Sequence, residues 1–138
     1  MLAVMTSSVA SARQEETLDQ LKARADAARP EQQPDLCTQV ADRELKLGLD
    51  AFKDSKFEEG HAAFREMVNY SGKAQAAASS TGKHIKHTEI KLRQFSTRLR
   101  DLKMNVGADD QPAIQNAVDK LEEFRTALLQ SMFGSKYK

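Results

Sequence analysis

The sequence predicts an all-α fold, and three observations carry that prediction. From Phe57 to Val106, alternating steps of three and four pick out Phe57, Gly60, Phe64, Met67, Ser71, Ala74, Ala78, Thr81, Ile85, Thr88, Leu92, Phe95, Leu99, Leu102 and Val106 without a slip of phase. That spacing is the signature of one helical seam. The composition agrees: three prolines, six glycines and no tryptophan accompany abundant Ala, Gln, Glu, Lys, Arg and Leu, the residues that lose least on entering a helix. Strand signals are missing, because no run of β-branched or aromatic residues alternates with polar ones.

At 138 residues and 40% hydrophobic content the chain has the size of one domain with one modest core. Residues 1–12 are small and uncharged and end in Ala10-Ser11-Ala12, the form that a signal peptidase cleaves after. The expectation is therefore a leader remnant or a disordered tail at 1–12, a single helical domain at 13–134 and a short tail at 135–138. A leader directs the protein to the periplasm or outside the cell; without one the reading is cytoplasmic. No apolar run approaches the ~20 residues that a transmembrane helix needs.

Within the domain, the first helix is expected over about 15–28, with Leu18, Leu21, Ala25 and Ala28 on one face and Arg29-Pro30 ending it. Asp35, just after Pro34, is the expected N-cap of a second helix running to about Lys53. Its apolar residues fall on two sides, Leu36, Val40, Leu47 and Ala51 on one and Cys37, Ala41, Leu45, Gly48 and Phe52 on the other. Asp54-Ser55-Lys56 is a short turn, which makes the next helix run back antiparallel. A final helix is expected after Asp109 or Asp110 as cap and Pro112 in the first turn, carrying Ile114, Ala117, Val118, Leu121, Phe124, Leu128 and Met132 and ending at Gly134. It pairs antiparallel with the segment beginning at Ile85.

The segment from Ser71 to Gly82 allows two layouts. Four alanines and the unbroken seam favour one continuous helix of roughly 50 residues, on the order of 75 Å long, with strong ends and a weak waist. A seven-residue repeat drifts by about 20° per heptad on a straight helix, so the two ends of such a helix face different partners. Alternatively Gly82 caps a helix, and the chain folds into a compact four- to five-helix bundle.

Around the second turn, Leu47-Gly48, Phe57, Gly60 and Phe64 resemble the skeleton of a tetratricopeptide helical hairpin, in which a small residue on each helix lets the two backbones approach. The resemblance spans about residues 41–72. It departs from the family where Glu44 takes the place of the first tryptophan, Ala51 that of the tyrosine and Gly72 that of the closing proline. It implies the local packing of one hairpin and not the peptide groove of a repeat array. The predicted architecture is accordingly a long central helix with this hairpin at one end and an antiparallel coiled-coil-like hairpin at the other.

Chemistry is sparse. Cys37 is the only cysteine, so no internal disulfide forms, and a buried thiol is the expected reading; nucleophilic use would require His61 to meet it across the hairpin. His84 and His87 are three apart with Glu89 near, the start of a metal set only if further ligands converge; adjacent Lys83 and Lys86 oppose a cation, so solvated surface is expected. Phosphate-cradling glycine loops and paired inward carboxylates are missing, and no enzyme activity, cofactor, metal or small-molecule substrate is expected.

The charge distribution carries the partner content. The net charge is only +1, yet Arg13 to Glu66 holds nine basic and thirteen acidic residues, whereas Lys83 to Lys103 holds seven basic (Lys83, Lys86, Lys91, Arg93, Arg98, Arg100, Lys103) and two acidic. Those cations form ridges along one helix. They are candidates for an anion-binding face toward nucleic acid, anionic lipid or an envelope polymer, or else a solvated face pairing with Asp119, Glu122 and Glu123. The functional expectation is a non-enzymatic interaction or scaffold protein of the cell envelope, binding a protein partner or itself, with the anionic-polymer binder as the alternative.

Overall fold

A computed structural model describes residues 16–134, all of whose regular structure is helical. The expected leader or tail at 1–12 and the tail at 135–138 lie outside the described residues. Five helices follow one another: α1 Leu18–Ala27, α2 Gln33–Lys53, α3 Phe57–Thr81, α4 Ile85–Lys103 and α5 Gln111–Phe133. The fold is all-α, and it is the compact bundle.

The continuous helix is corrected at Gly82. That residue sits at φ 73°, donates its N–H to the Ala78 carbonyl at 2.8 Å and so closes the last turn of α3. His84 follows at φ 61°, and two left-handed residues within three positions reverse the chain. The seam keeps its phase across this reversal. Gly60, Phe64, Met67, Ser71, Ala74 and Ala78 are buried on α3, and Thr88, Leu92, Phe95 and Leu99 on α4. Thr81 and Ile85 are four residues apart whether helix or turn joins them, so a periodic stripe specifies which face each segment buries and not what links the segments.

Direction follows from cross-helix contacts. Glu89 on α4 meets Arg125 on α5 while Lys103 meets Gln115, so α4 and α5 are antiparallel, as expected. His61 meets Asp110 just before α5 at one end, and Ser79 meets Ser131 at the other, so α3 and α5 are parallel. Asp35 near His87 at one end of α2 and a shared cleft at Lys53 and Asn105 make α2 parallel to α4. The bundle is thus two antiparallel hairpins, α2–α3 and α4–α5, laid side by side, with the Gly82 turn crossing between them. Helix α1 lies on the first hairpin, its Leu21 and Ala25 joining a single core that reaches Leu128.

Local chemistry shifts several boundaries. Helix α1 starts three residues later than expected because Thr17 and Gln20 form a reciprocal capping box. Helix α2 starts before Asp35: Pro34 occupies the first turn, where its missing N–H costs nothing, and no side chain caps the end. Asp110 precedes α5 but does not cap it with its side chain, since His61 Nε2 holds the carboxylate at 2.7 Å. Leu47, placed inward by the sequence pattern, is 51% exposed, and Phe57 is 42% exposed. Glu44 is buried instead, ion-paired with Lys22 of α1 at 2.8 Å.

Candidate functional site

The seven cations from Lys83 to Lys103 do not share one environment. Arg93 reaches back one turn to Glu89 at 2.7 Å, Arg100 lies 3.7 Å from Glu122, and Lys103 donates to Gln115 at 2.6 Å. Lys91 lies over the Phe95 ring, 5.8 Å from its centroid. Lys83 and Lys86 are exposed at the Gly82 turn, and Arg98 lines a cleft at the opposite end of α4. Of the three carboxylates expected to face this ridge, only Glu122 does; Asp119 accepts from Gln115, and Glu123 pairs with Lys120.

Glu89 is the centre of the most buried ionic cluster on this side. Its side chain is only 5% exposed and accepts from Arg93 on its own helix and from Arg125 Nε of α5 at 2.8 Å. Arg125 in turn donates to both oxygens of Glu122. The Arg93 hydrogen bond lowers the Glu89 pKa most; burial opposes it, and the contact with Arg125 adds to it. Sequence reading weighed Glu89 as a carboxylate beside the histidines and passed over Arg125. The available signal was position: four residues after Ile85, Glu89 flanks the seam and faces whatever helix covers it.

The histidines are dispersed. His61 is held by Asp110 and packs edge-on against Phe52 with centroids 5.1 Å apart. His87 stands 3.6 Å from Asp35, and His84 is exposed in the turn. Among the described residues no group of three or more His, Cys, Asp or Glu converges as metal ligands. Cys37 is 1% exposed near Lys73 and Ala77, toward the end of α3 remote from His61. Burial pushes its thiol pKa up to about 11, so at neutral pH it is the protonated, unreactive form.

A further opening lies at the other end, where the α2–α3 and α4–α5 turns meet. A cleft of about 760 Å³ is walled by Leu49, Phe52, Phe57, Leu102 and Val106 and rimmed by Lys46, Asp50, Lys53, Arg98 and Asp101. Met104, between Leu102 and Asn105 of that wall, is 83% exposed. Clefts of this volume are in the range that receives ligands or partner side chains. No helix among the described residues is long and apolar enough to cross a membrane. No protein-family model matches the chain, and neither the curated proteins nor the solved structures contain a match to it.

Proposed function

We propose that the protein is a non-catalytic helical interaction or scaffold protein, exported to the cell envelope. The observation that carries this reading is the cleft at the turn end, whose wall includes the 42% exposed Phe57, with Met104, 83% exposed, beside it in the chain. Exposed apolar groups gathered around a concave surface favour association. Export is supported by Ala10-Ser11-Ala12. The tetratricopeptide resemblance enters this reading only as the close packing of one hairpin.

The test is size-exclusion chromatography of a gentle extract of the native cells at low and high salt, with sequencing of the amino terminus of the recovered protein. Elution well above the 15.4 kDa of one chain at both salt concentrations, with a mature terminus at Arg13, is the expected result. Elution at the mass of a single chain in every fraction overturns the interaction reading.

A second reading, binding of an anionic polymer, draws on Lys83, Lys86 and Arg98, which make no ion pair among the described residues. It requires retention on heparin that falls steeply with salt and that drops when Lys83 and Lys86 are replaced by alanine. Three of the seven cations, Arg93, Arg100 and Lys103, already spend their donors inside the fold, which places this reading second.

A further inference from the structure

We propose that the trough between α3 and α5 is a binding site for a small monocarboxylate with a short apolar body, such as a medium-chain fatty acid. It shares no lining residue with the turn-end cleft or with the cations of α4, and it stands whether or not the protein has a macromolecular partner. Its shape follows from the sequence. The two helices run parallel, and α5 brings Ala113, Asn116 and Ala117 to the seam, side chains too short to fill the space beside Phe64 and Val68. About 310 Å³ is left, at the small end of the range that holds small ligands.

Contacts between the two helices bound this space at both ends. At one, His61 meets Asp110 at 2.7 Å; at the other, the Phe124 ring lies against Gly72, where an added Cβ would stand 3.0 Å from it. His61 and Gly72 are eleven residues apart, which is about 16 Å along a helix at 1.5 Å per residue. A short body fits between the two contacts.

Charge selects the occupant. Arg65 and Lys120 line the trough, with His61 at its end, and no carboxylate lines it. Arg65 makes no hydrogen bond or ion pair among the described residues. Lys120 is held only by Glu123 of its own helix, at 3.4 Å with both side chains largely exposed, and the Asp110 carboxylate at the end is engaged by His61. A free guanidinium level with the Asn116 amide and beside an apolar wall matches a carboxylate, which accepts two parallel N–H bonds from the guanidinium fork. The apolar body of the same molecule covers Phe64 and Val68. A cationic amphiphile of the same length gains the wall and is repelled by the rim.

The experiment is an NMR titration of the full chain, followed at the backbone amides, with octanoate as the probe and octylamine as its cationic counterpart. Octanoate is expected to bind saturably and to shift the amides of residues 61–68 and 113–120 most, with octylamine weaker by roughly tenfold or more. Arg65→Gln is expected to weaken octanoate binding by roughly tenfold. Ala113→Leu, which fills the trough from its exposed rim, is expected to abolish it, and circular dichroism checks that both variants are folded. Equal affinity for the two probes, shifts that do not saturate or centre elsewhere, or an Arg65→Gln variant that binds octanoate as the parent does overturns the proposal. A glutamate-rich peptide that shifts these amides where octanoate does not overturns it in favour of an acidic partner. Shifts that follow protein concentration with no probe present overturn it in favour of a second copy. The interaction reading is decided separately, by the mass of the native species.

Discussion

Gly48 and Gly60 set how closely the first hairpin packs. A Cβ at Gly48 would overlap the Phe64 ring, and one at Gly60 would overlap the Phe52 ring and stand 3.2 Å from the Gly48 carbonyl oxygen. Phe52 and Phe64 are themselves stacked with centroids 5.6 Å apart, so displacing either ring disturbs the pair. Gly60→Ala is therefore expected to destabilise the fold by about 1–3 kcal/mol, the usual cost of overpacking, although alanine is the better helix former; urea denaturation checks the sign. Glu89 offers a second test at this scale. Its pKa is depressed in the folded state, first by Arg93 and then by Arg125 against the opposing effect of burial. Its stabilisation is thus fully present above the ordinary carboxylate range and is lost as the pH falls through the depressed value. Glu89→Gln is expected to lower stability by about 1–3 kcal/mol at neutral pH. The difference from the parent should shrink as the pH falls below the ordinary carboxylate range. A constant difference across an acid titration followed by circular dichroism would count against the cluster.

At the scale of elements, the Gly82 turn decides the architecture. A Cβ at Gly82 meets nothing within 4 Å, so the cost of Gly82→Ala is conformational alone, about 1 kcal/mol for a left-handed residue with a side chain. Thermal melts of the variant check it, and a loss of several kcal/mol would mean that the turn is doing more than reversing the chain. This turn also marks where the sequence was legible and where it was not. The faces of α3 and α4 were readable, because Met67, Ala74, Leu92 and Leu99 obey a period that burial imposes and all are 0% exposed. The break between them was not, because a three-residue link that restores the phase leaves no trace in the period. On α2 the failure has another cause. Leu47 was assigned inward by spacing, yet the face it shares is covered only in its first half, where α1 and Lys22 bury Glu44. Of the candidate site, sequence showed that the cations cluster, but which of them are neutralised depends on Glu89, Arg125 and Glu122 meeting across two helices.

At the scale of the whole molecule, two hairpins side by side make a short, thick particle where one continuous helix would have spanned on the order of 75 Å. Small-angle scattering at low concentration is expected to give the radius of gyration of a compact chain of this length, about 14 Å, rising if two copies join. A rod-like profile at low concentration would contradict the reversal at Gly82. The topology has a further consequence. Each hairpin forms its own antiparallel contact locally, and within the four-helix bundle the chain passes between them once, through Gly82, Lys83 and His84. Severed at that exposed link, the protein becomes two helical halves whose complementary faces, Phe64 to Ala78 on one and Ile114 to Leu128 on the other, remain intact. The halves should find each other as separate molecules and regain the parent's circular dichroism on mixing, so the fold can serve as a split reporter in which the bundle's own core is the glue.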